Sequence, residues 1–196
     1  MRPVLFAVLL LVLAVPAHAQ ITNGGFEPGS GGASSILPPG STLIPGWVTI
    51  ESGAEWFTPS SLGYNNSPQG GYVVDLANYT SSAGGVAQTF ATVPGQAYQI
   101  DFYLGTHAVS GRNGTCQIVV DADGTSQTYV HSSLTGTIGW SARTFVFTAD
   151  GPTATLRFRC LQNALLHFAY IDGVGAQLAV PAEAESWGAV KGLYRR

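Results

Sequence analysis

A two-residue hydrophobic period returns along most of this chain, and it constrains the fold more than any other feature. From Tyr98 to Leu104, the side chains of Tyr98, Ile100, Phe102 and Leu104 fall on one face, while Gln99, Asp101 and Tyr103 fall on the other. Successive side chains of an extended strand point to opposite faces, so this pattern is that of a half-buried strand. Comparable runs are Gly46 to Ile50, Tyr72 to Leu76, Val86 to Phe90, Thr115 to Asp121, Gln127 to His131, Thr144 to Thr148, Thr153 to Leu161 and Phe168 to Leu178. Turn residues separate them, as at Val93-Pro94-Gly95, Asp123-Gly124 and Asp150-Gly151-Pro152. Pro pre-sets one turn angle and Gly supplies the positive one. Many short strands with glycine-rich turns and no intervening helical period predict an all-β antiparallel sandwich or barrel. One domain is expected from Gln20 to about Ala179.

Charge narrows the classes further. Only 10% of the 196 residues are charged and the formal charge is −3, against about a quarter charged in ordinary domains. A coiled coil would be rich in Glu and Lys, yet Lys191 is the single lysine. Nucleic-acid binding rests on clustered Lys and Arg that release counterions; no such cluster precedes the last few residues, so a nucleic-acid partner is not expected. Arg2, an apolar run from Val4 to Val15, and the small residues around His18 at Ala17 and Ala19 follow the order of a secretory signal. Residues 1–19 are therefore expected to be removed, and the mature chain to act outside the cytoplasm, secreted or at the cell surface. Twelve apolar residues are too few to span a bilayer, and no other stretch approaches that length.

Cys116 and Cys160 both fall on the apolar faces of their runs. In an oxidising compartment a disulfide closing the loop between them is the expected state, with two buried free thiols as the alternative. Two stretches interrupt the strand pattern. Pro28 to Gly40 is almost wholly Gly, Ser and Pro and reads as a flexible insertion, whereas Pro59 to Gly71, with Tyr64, Asn65 and Asn66, reads as a loop with a ligand-contacting role. After Val180 the chain changes character. Glu183 and Glu185 precede Lys191, Arg195 and Arg196, while Trp187, Val190 and Tyr194 share one helical face. Such a short amphipathic tail (residues 180–196) is marginal alone and is expected to dock, to meet a partner or to be disordered.

The order of several short motifs is familiar. Asn23-Gly24-Gly25-Phe26-Glu27 comes first, then Ile44-Pro45-Gly46-Trp47, then Gly70-Gly71-Tyr72-Val73-Val74-Asp75-Leu76. Gln88-Thr89-Phe90, Val93 to Tyr98, Arg143 to Ala149 and Ile171-Asp172-Gly173-Val174 follow. This series resembles the bacterial choice-of-anchor C family and its relatives, the plant cell-wall domains of unknown function and the carbohydrate-binding modules. The resemblance implies a galactose-binding-domain-like jelly-roll β-sandwich and an extracellular setting. It implies a carbohydrate or cell-wall polymer as partner less directly, because fold does not fix function. It also implies one structural calcium ion held by Glu27 and Asp172, the residues at the matching positions; a surface acid and an ordinary turn acid are the alternative. Val180, Pro181 and the terminal arginines resemble fragments of a bacterial sorting tail whose apolar span is missing here.

Sugar recognition needs aromatic faces and planar polar groups. Trp56, Tyr64 and Tyr79 in or beside loops, and Tyr103 on a polar strand face, are the candidate stacking residues. Arg157 and Arg159 lie opposite Leu156 and Phe158 just as Asp101 lies opposite Ile100 and Phe102. If these strands share a sheet, Asp101, Tyr103, Arg157 and Arg159 form one binding surface; the plainer reading is a solvated sheet with paired charges. Trp47 and Trp140 are expected to pack. Catalysis finds little support: there is no Gly-x-Ser-x-Gly elbow, and the histidines are scattered. Asp75, Asp101 and Asp172 leave a glycosidase pair open as an alternative, and a structural surface protein that binds other proteins is a further one. Asp121-Ala122-Asp123-Gly124 is a hairpin turn rather than a calcium loop. Asn65, Asn78 and Asn113 head Asn-x-Ser/Thr glycosylation sequons.

Overall fold

The structure is a computed structural model that describes residues 20–27, 34–64, 67–77 and 83–179. The expected signal and tail, the sequons at Asn65 and Asn78, and Tyr79 lie outside those residues.

Eleven strands are formed among the described residues: β1 Ser34–Leu37, β2 Val48–Glu51, β3 Ala54–Phe57, β4 Val73–Asp75, β5 Gly84–Ala91, β6 Ala97–Thr106, β7 Thr115–Ala122, β8 Thr125–Ser132, β9 Gly139–Thr148, β10 Thr153–Cys160 and β11 Tyr170–Leu178. They make two antiparallel sheets, one in the order β1-β3-β4-β11-β6-β9 and the other β2-β5-β10-β7-β8. Every run read from the two-residue period is a strand. The all-β sandwich expected from the sequence is the fold.

Alternation builds the core. Tyr98, Ile100, Phe102 and Leu104 of β6 turn inward with Phe145 and Phe147 of β9, and meet Val86, Ile118, Val120, Leu156 and Phe158 of the facing sheet. Phe158 is the central contact, with Phe102 packed edge-on at 5.0 Å and Trp47 at 6.2 Å. Trp47 is buried as expected, and its indole N–H donates to the Asn23 carbonyl at 3.0 Å. Trp140 instead packs on the outside of the six-stranded sheet, over Gly105, where a Cβ would come within 2.6 Å of the indole.

Two strands have no counterpart in the sequence reading. The stretch taken as a flexible insertion carries β1, which pairs with β3 from Ser34↔Phe57 to Leu37↔Ala54. Each has four residues, too few to show a period, and each forms through strand pairing, β1 on β3 and β3 between β1 and β4. Gly53 brings them together: its φ of +99° is open to glycine, and a Cβ there would lie 2.0 Å from the Leu37 carbonyl oxygen.

The expected disulfide is not formed; Cys116 and Cys160 are free and buried. Cys160 sits opposite Ile118, so Cys116, two residues earlier on β7, is its diagonal neighbour. Diagonal pairs lie about 7–8 Å apart, beyond the usual Cα reach of a disulfide. Burial pushes both thiols up to about 12.

Candidate functional site

One rung of the six-stranded sheet crosses all its strands. Ile36 faces Glu55, Glu55 faces Asp75, Asp75 faces Tyr170, Tyr170 faces Gly105, and Gly105 faces Trp140. These residues lie on the face turned away from the sandwich core, because Trp56, Val74, Ile171 and Leu104, one position away on their strands, point into it. Phe57, Val73, Phe168 and Tyr170 make a second apolar cluster there, flanked by Tyr64, Val109 and Trp140.

At the β1 and β3 end of this rung lies a pocket of about 330 Å³. Its apolar walls are Ile36, Leu62, Tyr64 and Phe168, and its polar groups are Ser34, Glu55 and Ser110. Phe57 and Tyr170 line a smaller recess beside it. The short 3-10 helix Pro59–Leu62 carries the chain from β3 to Tyr64, ending at Gly63 with a left-handed backbone. Tyr64 stands edge-on to His107 at 4.5 Å, and His107 Nε2 is 3.0 Å from the Tyr170 hydroxyl. Thr106 donates to the Phe168 carbonyl at 2.8 Å. Arg112 donates to the carbonyls of Ala164 and Ser110 and lies 4.5 Å over the Phe168 ring. The far wall is therefore held by hydrogen bonds from behind.

Burial governs the electrostatics of this rung. Glu55 is pushed up by burial, against a hydrogen bond from the Ser34 hydroxyl and the charge of Arg112. Asp75 is fully buried and rises to about 7, first through burial and further through the neighbouring Glu55. Its Oδ1 accepts the N–H groups of Ala77 and Ala169 at 2.9 and 3.1 Å, while Oδ2 has no partner. Burial lowers His107 to about 4 and leaves it neutral.

The family can now be placed. Residues 19–166 match the family described as protein of unknown function DUF642. The chain belongs to DUF642. The finer attribution to the choice-of-anchor C family rests on motif order alone. No curated protein matches this DUF642 chain. Among solved structures it is similar to TmCBM61, a carbohydrate-binding module in complex with β-1,4-galactotriose, at 15% identity and a TM-score of 0.50, over 83% of this chain and 100% of that one. It is also similar to part of an arabinose-bound α-L-arabinofuranosidase, MgGH51, at 11% identity and a TM-score of 0.51, over 83% of this chain and 26% of that one. The CBM22-1 xylan-binding domain of Paenibacillus barcinonensis Xyn10C aligns at 14% identity and a TM-score of 0.49, over 84% of this chain and 97% of that one. At these identities the likeness is one of fold alone, a β-sandwich.

The candidate residues of the DUF642 chain are dispersed. Tyr64 lines the pocket. Trp56 does not: it is 2% exposed, points into the core and donates its indole N–H to the Phe26 carbonyl at 3.0 Å. It is expected in or beside a loop, but it lies on β3, whose pleat sends Glu55 and Phe57 outward in its place. The four-residue surface is split as well. Asp101 and Tyr103 belong to β6 in the six-stranded sheet, whereas Arg157 and Arg159 belong to β10 in the other. Asp101 accepts hydrogen bonds from Gln99, Thr144 and Gln177. Tyr103, 39% exposed, lies beside Gly173. Arg157 and Arg159 pair with the buried carboxylate of Asp121, Arg159 at 3.0 Å, which is the paired-charge arrangement of a solvated sheet.

Glu27 and Asp172 do come together, around the turn at 69–72. Glu27 accepts the N–H groups of Gly71 and Tyr72 at 2.7 and 2.6 Å, and Asp172 those of Gln69 and Gly173 at 2.8 and 2.6 Å. Burial raises Asp172 to about 7, and the charge of Glu27 adds to the rise. Among the described residues no cluster of three metal-ligating side chains occurs. Sequence reasoning missed Glu55, Phe57, Phe168 and Tyr170 as site residues; the four residues from Ala54 to Phe57 carry no apolar–polar alternation that would have marked the first two.

Proposed function

We propose that this DUF642 chain is a secreted, non-catalytic carbohydrate-binding module whose sugar occupies the pocket of Glu55, Tyr64 and Phe168. The carrying observation is the pocket itself. Aromatic and aliphatic walls with one carboxylate and two hydroxyls are the chemistry that holds a sugar ring by its apolar face and its hydroxyls. At about 330 Å³, it sits at the small end of ligand pockets, a size suited to a short stretch of glycan. The fold shared with a module bound to β-1,4-galactotriose supports this reading. Among the described lining residues Glu55 is the one carboxylate, and Asp75, opposite it on the next strand, is fully buried. A glycosidase needs two carboxyl groups flanking its substrate, so the arrangement favours binding over hydrolysis.

The test is a glycan array with the full chain and with Tyr64→Ala. Binding that is lost in the variant while the melting curve is kept supports the pocket. Silence across the array overturns the reading and favours a surface protein that binds other proteins. Calcium remains a second proposal: Glu27 and Asp172, two carboxyl groups beside the turn at 69–72, would supply its carboxylate oxygens, with backbone carbonyls completing the six to eight ligands it takes. Melting temperatures in calcium and in EDTA decide it, and coincident curves would remove the ion.

A further inference from the structure

We propose that the pocket selects a glycan carrying a free, positively charged amino group, with Glu55 as the counter-ion of that amine. The inference rests on the carbohydrate-binding reading and names the sugar class it implies.

Glu55 is almost fully buried, yet its hydrogen-bond partner is a neutral hydroxyl, that of Ser34. The ion pairs formed among the described residues join Arg157 and Arg159 to Asp121 and Glu51, on the other sheet. Directly across the strand pair stands Asp75, a second carboxyl group, fully buried, whose Oδ2 has no hydrogen-bond partner. The carboxyl group that lines the pocket therefore has a second acidic group beside it on the next strand. His107, behind Tyr64, is neutral, and Arg112, whose charge acts on both acids, donates to the carbonyls of Ala164 and Ser110 and lies over Phe168, one guanidinium against two carboxyl groups.

A buried carboxylate is costly unless a charge or several donors answer it. A sugar hydroxyl brings a neutral donor. An ammonium brings a charge-assisted hydrogen bond, roughly twice as strong, and Tyr64 supplies a ring of the kind that attracts cations. A uronic acid would place a like charge against Glu55 and Asp75. The pocket thus favours an amino sugar over its acylated form, and either over an acidic sugar.

The experiment is isothermal titration of the full chain with three probes: a glucosamine tetramer, its fully N-acetylated counterpart and a galacturonic acid tetramer. The expected result is binding about tenfold or more tighter for the free amine, the ratio of a charged to a neutral hydrogen bond, and no binding of the acid. Glu55→Gln, close to isosteric, should abolish the preference for the amine while keeping the melting curve. Equal affinity for the two glucosamine tetramers, or a preference that survives in Glu55→Gln, overturns the inference and leaves the glycan-binding reading standing. The acetylated probe removes the charge from the ligand side, so the comparison holds even if the variant fails to fold. If the chain binds no glycan on the array either, the parent reading falls and this one falls with it.

Discussion

Replacing Asp75 with Asn should stabilise the protein above neutral pH and flatten part of its pH dependence. In the folded chain Asp75 titrates at about 7 against 3.8 for the exposed group, chiefly through burial. Between those two values the folded chain holds a proton that the unfolded chain has lost. Stability therefore falls as pH rises across that window and is level outside it. From pH 5 to pH 8 this single group should cost about 2–3 kcal/mol, at 1.36 kcal/mol per pKa unit. Asparagine keeps an oxygen for the N–H groups of Ala77 and Ala169 and places no charge beside Glu55. Urea unfolding of the wild type and Asp75→Asn at pH 5 and pH 8 reads the difference directly. The contribution of Asp172, also raised to about 7, is present in both chains and cancels. The expected outcome is a wild-type loss larger than the variant's by about 2–3 kcal/mol. An identical pH dependence in the two chains, or a variant less stable than the wild type at pH 8, would refute the assignment of a strained buried acid to this rung.

Other outcomes follow from the packing. Phe158→Ala, emptying the contact between Phe102 and Trp47, should cost about 3–5 kcal/mol in the same unfolding assay. With both cysteines buried and free, a reducing agent should leave the melting temperature unchanged, and a thiol reagent should label Cys116 and Cys160 only as the chain unfolds. Arg157→Ala removes a half-exposed partner of Asp121 on the sheet opposite the pocket. It should cost at most about 1 kcal/mol and leave glycan affinity unchanged; a large loss of binding would move the site to the other sheet.

The strands were legible where their period was long enough to read. Tyr98 to Leu104 announces itself because four apolar side chains alternate with polar ones, and burial of one face follows from geometry alone. Tyr64 was legible as an aromatic in a polar loop. The likeness of Asp101 and Arg157, each opposite a core residue on its strand, was real too, but alternation says which face a side chain takes and not which sheet its strand joins. That assignment separated Asp101 and Tyr103 from Arg157 and Arg159.

Local sequence thus determined the sandwich and the inward face of each long strand, because the two-residue period and the turn residues act over a few positions. Tertiary structure decided the site. β1 and β3 are too short to declare themselves and exist through pairing with each other and with β4, and β3 carries Trp56 inward and Glu55 outward. Glu55, Asp75 and Tyr170 meet on one rung only because three strands distant along the chain pair in one register. A one-residue slip in that register would turn every one of them to the other face, so long-range hydrogen bonding, which no local pattern encodes, sets the chemistry of the pocket.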